Sequence, residues 1–173
     1  LSELQKQTMQ VSADAVSLAN ALRGDNKAQG NWGEFILEKL LEDSGLSKGR
    51  EYDTQVALKD ESGKRRNPDV IIHLPEGRDI VIDAKVSLVD YERYFHADTD
   101  ELKQQCLRQH LNSLRAHIKG LSHKDYENLD GVNSLDFVLI FIPVEAAFMV
   151  ALDQDPEMMR DAYDRGIILV SPS

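Results

Sequence analysis

Between Phe137 and Ile142 the chain reads Phe-Val-Leu-Ile-Phe-Ile, an unbroken apolar run of strand length. Side chains of a strand alternate between two faces, so such a run needs apolar cover on both faces. An edge strand does not offer that cover, which predicts a strand at the centre of a sheet with helices packed on it. Gly166-Ile167-Ile168-Leu169-Val170 repeats the pattern and predicts a last buried strand.

The segments around these runs alternate in period. Phe35, Ile36, Leu37, Leu40 and Leu41 recur helically between Trp32 and Asp43, and Ser44-Gly45 closes them as a C-terminal cap. Thr54 to Leu58, Asp69 to Leu74 and Asp79 to Asp83 are short β-rich runs separated by Ser62-Gly63 and Pro75-Glu76-Gly77, which predicts a three-stranded meander. Thr99 to Leu121 predicts a helix burying Leu107, Leu111, Leu114, Ile118 and Leu121, and Pro156 opens another. The order is helix, three strands, helix, strand, helix, strand. This predicts an α/β fold with a central mixed sheet flanked by helices.

Ahead of it, Leu1, Leu4, Thr8, Val11, Ala15, Leu18 and Leu22 recur at alternating steps of three and four. That is a heptad seam, or else an amphipathic helix lying on its own domain. Polar residues and a glycine from Arg23 to Lys27 break it. The expected division is a helical arm over 1–28, the end of a coiled coil that would make the protein a homo-oligomer, and one globular domain over 29–173. Leu1 stands where a Met would begin a chain, and Ser171-Pro172-Ser173 has the form of a helix start, so the domain is expected to be truncated at its C-terminus.

Composition narrows the chemistry. A formal net charge of -10 excludes a protein that coats nucleic acid with its whole surface, because phosphate affinity comes from clustered Lys and Arg. DNA contact would be a local patch. Cys106 is the only cysteine, which excludes an intrachain disulfide and a cysteine-type zinc site and makes a cytoplasmic setting the expectation. No apolar run reaches membrane-spanning length, so no membrane contact is expected of this segment.

One constellation carries chemistry. Asn67-Pro68-Asp69 opens the second expected strand and Asp83-Ala84-Lys85 closes the third, with a tight turn between them. In an antiparallel hairpin the start of one strand lies beside the end of the next. Asp83 and Lys85 share a face, and Ala84 offers its backbone carbonyl. Asp69, Asp83 and Ala84 make an oxygen site suited to Mg2+ or Mn2+, with no small-molecule cofactor implied. Such an ion neutralises a phosphodiester and activates water. Lys85 would orient that water, stabilise the transition state or act as base. Glu34, on the first helix, would complete the metal shell or bind a second ion. The expected catalytic set is Asp69, Asp83, Lys85 and Glu34.

Gly30-Asn31-Trp32-Gly33-Glu34, Asn67-Pro68-Asp69-Val70, Asp83-Ala84-Lys85 and Phe141-Ile142-Pro143-Val144-Glu145 together resemble the signature blocks of the RmuC family of bacterial DNA recombination proteins. The resemblance runs from about Gly30 to the end. It implies the PD-(D/E)xK restriction-endonuclease-like fold, a metal-dependent deoxyribonuclease, and a part in limiting rearrangements between short inverted repeats. It also implies a coiled coil ahead of the domain, often preceded by a membrane anchor, so the parent protein would be held at the inner membrane by a segment outside this sequence. Asp69, Asp83 and Lys85 match the motif directly, Glu34 matches by position, and Glu145 falls in a block of unassigned role. The competing expectation is a DNA-binding scaffold that keeps the fold with little or no turnover.

Candidate DNA contacts are Lys64, Arg65 and Arg66, with Lys59, in a basic loop before Asp69, and Arg108, Arg115 and Lys119, which share one side of the helix from Thr99. The second group is either a phosphate-tracking row or a solvated face. Trp32 is expected in the core, with base stacking as the alternative. His73, His96, His110, His117 and His123 lack metal-ligand spacing and are expected to be structural or solvent-facing.

Overall fold

A computed structural model describes residues 26–55, 58–59, 65–66, 68–84, 87–121, 126 and 137–173. The heptads from Leu1 to Leu22 lie outside the described residues, as do Lys64 and Lys85.

Helix α1 spans Asn26–Asp43. It starts earlier than the apolar pattern predicts and takes in Asn26 and Lys27, which had been expected in a linker. Its inward stripe runs Gln29, Gly33, Leu37 and Leu41 at helical spacing, all buried. Ser44 N–H donates to Leu40 O and Leu46 N–H to Leu41 O, with Gly45 at φ +87°, and this left-handed residue ends the helix.

Strand β1 is Tyr52–Thr54, β4 is Val70–Leu74 and β5 is Arg78–Asp83, forming the expected antiparallel meander. A separate hairpin pairs β2, Leu58–Lys59, with β3, Arg65–Arg66. The first strand therefore precedes its expected position at Thr54 to Leu58, which straddles two elements. Between β4 and β5, Glu76 and Gly77 take positive φ in the tight turn.

Helices α2, Val89–His96, and α3, Asp100–Gly120, follow β5. Thr99 caps α3 by accepting from the Leu102 N–H at 3.2 Å. Strand β6 is Val138–Phe141, α4 is Glu145–Gln154, α5 is Met158–Asp164 and β7 is Ile167–Val170. The sheet order is β1-β4-β5-β6-β7, with β5, β6 and β7 parallel. β6 is interior, as its uniform apolarity predicts, although β5 holds the centre and β7 is an edge. Helices α2 and α4 had no counterpart in the sequence reading.

The sheet separates two cores. Ile71, Val81, Val138, Ile140, Ile167 and Leu169 face the larger one, packed against Tyr91 of α2, Leu114 and Ile118 of α3, Ala147 of α4 and Met158 of α5. Val70, Ile82 and Phe141 face the smaller one with Tyr52 and, from α1, Leu37 and Leu41. The result is a three-layered α/β domain with a five-stranded mixed sheet. Trp32 is half-buried and packs against the larger core, as expected.

The α3 stripe is rotated from its expected phase. Cys106, His110, Leu114 and Ile118 are buried, while Leu107 and Leu111 are half-buried. His110 is accommodated because its Nε2 donates to Ala147 O at 3.0 Å, tying α3 to α4. Burial pushes its pKa down, so the ring stays neutral.

Candidate active site

Parallel strands β5, β6 and β7 all end at one edge of the sheet, where antiparallel β4 begins. This edge collects residues far apart in sequence: Gln55 after β1, Asp69 before β4, Asp83 and Ala84 at the end of β5, and Glu145 after β6. The β4–β5 register pairs Val70 with Ile82 and Ile71 with Val81. Continued by one residue, it sets Asp69 opposite Asp83.

Asp69 is 2% exposed, and its Oδ2 accepts the Ala84 N–H at 2.8 Å. Its backbone carbonyl accepts from the Gln55 N–H at 3.1 Å. A buried carboxylate is tolerated only when hydrogen-bonded, and here the bond also fixes the chain just after Asp83. The Asp83 side chain is 14% exposed, and Nε2 of His117, on α3, lies 3.7 Å from its Oδ2.

Glu34 approaches from α1. The helix comes so close to the end of β5 that a Cβ at Gly33 would stand 3.1 Å from Ala84 O and 3.6 Å from Pro143 Cγ. Glycine permits this approach and brings Glu34 to the sheet edge, where its Oε2 accepts from Gln55 Nε2 at 2.6 Å. A chain of contacts thus runs Glu34, Gln55, Asp69, Ala84. The Ala84 carbonyl, expected as a metal ligand, instead lies against Gly33, while the Ala84 N–H holds Asp69. Among the described residues, no three His, Cys, Asp or Glu side chains form a group that could hold a metal ion. Lys85 lies outside the described residues.

Glu145 begins α4 at the same edge and accepts from Ser173 Oγ at 2.7 Å and from its N–H at 3.3 Å. It therefore holds the segment after β7.

The candidate DNA contacts divide. Arg108 and Lys119 are exposed on α3. Arg115 corrects the idea of three free cations in a row: its Nε and Nη2 donate to Asp155 and its Nη1 to Asp161. These carboxylates push its pKa up, and Arg115 in turn pulls the Asp155 pKa down. A phosphate there would have to displace two carboxylates. Arg65 and Arg66, expected in a loop, form strand β3, paired antiparallel with β2.

Two residues at this edge were read otherwise in the sequence: Gln55 fell inside the expected strand Thr54 to Leu58, and His117 was expected to be structural or solvent-facing, because neither signals its neighbour from a distant segment. A second cluster also emerged: His73 joins three strands, with Nδ1 2.9 Å from Asp79 Oδ1 and Nε2 2.8 Å from Asp53 Oδ2.

The RmuC family model matches residues 1–173. A Vibrio cholerae protein called DNA recombination protein RmuC homolog is 56% identical over 173 residues, covering 100% of this chain and 34% of its own length. A Yersinia pestis protein of the same description is 53% identical over the whole chain and 36% of its own. The Escherichia coli K12 DNA recombination protein RmuC is 50% identical, again over the whole chain and 36% of its own length. The chain spans about a third of the length of these curated relatives. No solved structure matches it significantly.

Proposed function

Because this chain belongs to the RmuC family, we propose that it is the nuclease-like domain of a DNA recombination protein, hydrolysing DNA phosphodiesters with Mg2+ or Mn2+ on a restriction-endonuclease-like core. The observation that carries the proposal is the β4–β5 register, which continued by one residue from Val70 and Ile82 would set Asp69 opposite Asp83, together with the buried Asp69 carboxylate held by the Ala84 N–H. Support for the DNA substrate comes from the relatives, which are called DNA recombination proteins.

The donor types suit a hard divalent ion, since Asp69 and Asp83 are both carboxylate oxygen donors, one buried and the other 14% exposed. Asp83 and Asp69 would hold it, with Glu34 at the margin. Bound there, the ion would neutralise phosphate charge and lower the pKa of water. This chain's own residues do the rest: the Asp69–Ala84 bond fixes the end of β5, and Gln55 orients Glu34 toward the same edge. Lys85, two residues beyond Asp83, would supply the ammonium that orients water or stabilises the transition state.

A scaffold that binds DNA with little turnover is the second reading. It is favoured by the lack, among the described residues, of three side chains grouped to hold a metal. In that reading the coiled-coil arm assembles the protein into oligomers and exposed cations such as Arg108 and Lys119 contact the backbone. Among the described residues no helix is long and apolar enough to cross a membrane.

The test is incubation of the protein with single-stranded, duplex and hairpin DNA at low salt, with and without Mn2+, beside Asp69→Asn. Cleavage that needs the metal and is lost in the variant supports the nuclease. Unchanged DNA in every metal-containing mixture, with DNA binding retained, supports the scaffold.

A further inference from the structure

His73 stands where one imidazole meets two carboxylates from separate strands. Its Nδ1 is 2.9 Å from Asp79 Oδ1 on β5, and its Nε2 is 2.8 Å from Asp53 Oδ2 on β1. A carboxylate only accepts hydrogen bonds, and a neutral imidazole carries a single N–H. The two bonds together therefore call for a ring with two N–H groups, the imidazolium. Hydrogen bonding to Asp53 raises the ring's pKa above its ordinary value, Asp79 adds to the rise, and burial opposes it. These two carboxylates are the charged groups that face the ring. The nearby Glu51 carboxylate turns instead to the Ser47 N–H at 2.7 Å and to Arg50 Nε at 3.5 Å, and β4 carries no other charged residue.

The strand held in this way has little else to hold it. β1 has three residues and lies at the edge of the five-stranded sheet. Its pairing with β4 is bounded by the His73 N–H, which donates to Glu51 O at 2.7 Å, and by the Gln55 N–H, which donates to Asp69 O at 3.1 Å. Short edge elements with few buried contacts open locally at low cost, whereas hydrogen bonds between charged groups are stronger than neutral ones. The His73 ring is 35% exposed and Asp53 is 44% exposed, so water can reach the proton, while Asp79, at 2%, is the buried anchor.

We propose that His73 is a proton-operated latch on edge strand β1: protonated, it ties β1 to β4 and β5, and on losing the proton it lets β1 open, which frees Gln55 from the Asp69 carbonyl and from Glu34. The latch makes the order of the candidate site's outer strand depend on pH, and it acts whether or not a metal binds there. A group whose pKa is raised in the closed state holds fully below the ordinary imidazole value of about 6.5 and lets go as the pH rises through the closed-state value.

The test is hydrogen exchange at the His73 and Gln55 amides, corrected for the intrinsic effect of pH, beside 15N NMR of the ring. At about pH 6 both ring nitrogens should be protonated. As the ring titrates, protection of the two amides should fall at least about threefold, while the Leu114 and Ile118 amides in α3 keep theirs. In His73→Gln the protection should be low and independent of pH. Asp53→Asn alters only the exposed partner and should move the loss to lower pH; it carries the test if His73→Gln does not fold. A ring with one N–H at about pH 6 overturns the latch. So does protection at β1 that does not follow the ring's titration, a loss shared equally by the α3 amides, or a midpoint unmoved in Asp53→Asn.

Discussion

Gly30 and Gly33 lie one turn apart on α1, yet their surroundings predict opposite responses to the same change. A Cβ at Gly30 meets nothing within 4 Å, so Gly30→Ala should stabilise the protein by about 0.5–1 kcal/mol through helix propensity. A Cβ at Gly33 would stand 3.1 Å from Ala84 O. That carbonyl belongs to a residue whose N–H is bound to Asp69, so it has little room to yield, and Gly33→Ala should destabilise by about 1–3 kcal/mol. Urea denaturation of both variants reads the two signs. His73 carries a separate prediction. Hydrogen bonding to Asp53 raises its pKa above 6.5, Asp79 adds to the rise, and burial opposes it. A group raised in the folded state contributes fully below its unfolded pKa and loses that contribution as pH rises through the folded value. The stability gap between wild type and His73→Gln should therefore be widest below the ordinary imidazole value of about 6.5 and should narrow as the pH rises through the raised folded-state value; a gap independent of pH would show that His73 is not charged in the native state. At this scale Asp69 and Asp83 were legible because a hairpin with a short turn converts sequence order into register. Gln55 and His117 were not, since their roles depend on neighbours from distant segments.

Elements were most legible where one face or both faces must be apolar. The β4–β5 hairpin and interior β6 follow from period and composition alone, whereas the α1 stripe shares only Leu37 and Leu41 with the apolar pattern, because Phe35 is 61% exposed and Gln29 and Gly33 are buried instead. The boundaries moved where glycine or polar residues are helical for tertiary reasons, as in the first turns of α1. Helix α4 was missed because Ala146 to Leu152 is apolar throughout and shows no amphipathic period, and α2 because its eight residues give little room for one. The phase of α3 was displaced because His110 was not counted as a core residue, although its bond to Ala147 lets it serve as one. Arg115 was read as part of either a phosphate-tracking row or a solvated face, because a sequence shows charge but not its partners. In the fold it joins α3 to Asp155, after α4, and to Asp161 of α5. Its side chain is 40% exposed, so solvent screens the pair, and Arg115→Met should cost about 1 kcal/mol, the scale of a surface ion-pair network. Thermal unfolding at low and high salt checks this: the wild-type advantage should shrink with salt, and an advantage of several kcal/mol would mean that the network is better shielded than its exposure implies.

For the molecule as a whole, a charge of -10 makes the surface generally repulsive to a polyanion. In the proposed nuclease, a divalent ion at the acidic sheet edge would reverse the local field and let a phosphodiester approach, which would tie DNA turnover to metal occupancy. Asp83 and Lys85 have different tasks in this account, one holding the ion and the other acting on water or the transition state, and this difference separates an enzyme from a scaffold. The most direct measurement is the rate of Mn2+-dependent DNA cleavage beside Mn2+ and DNA affinity for wild type, Asp83→Asn and Lys85→Ala. Metal affinity and cleavage should fall together in Asp83→Asn, whereas Lys85→Ala should keep metal and DNA binding and lose at least about a hundredfold in rate. Wild-type protein that binds Mn2+ and DNA but cleaves no DNA form would contradict the nuclease account.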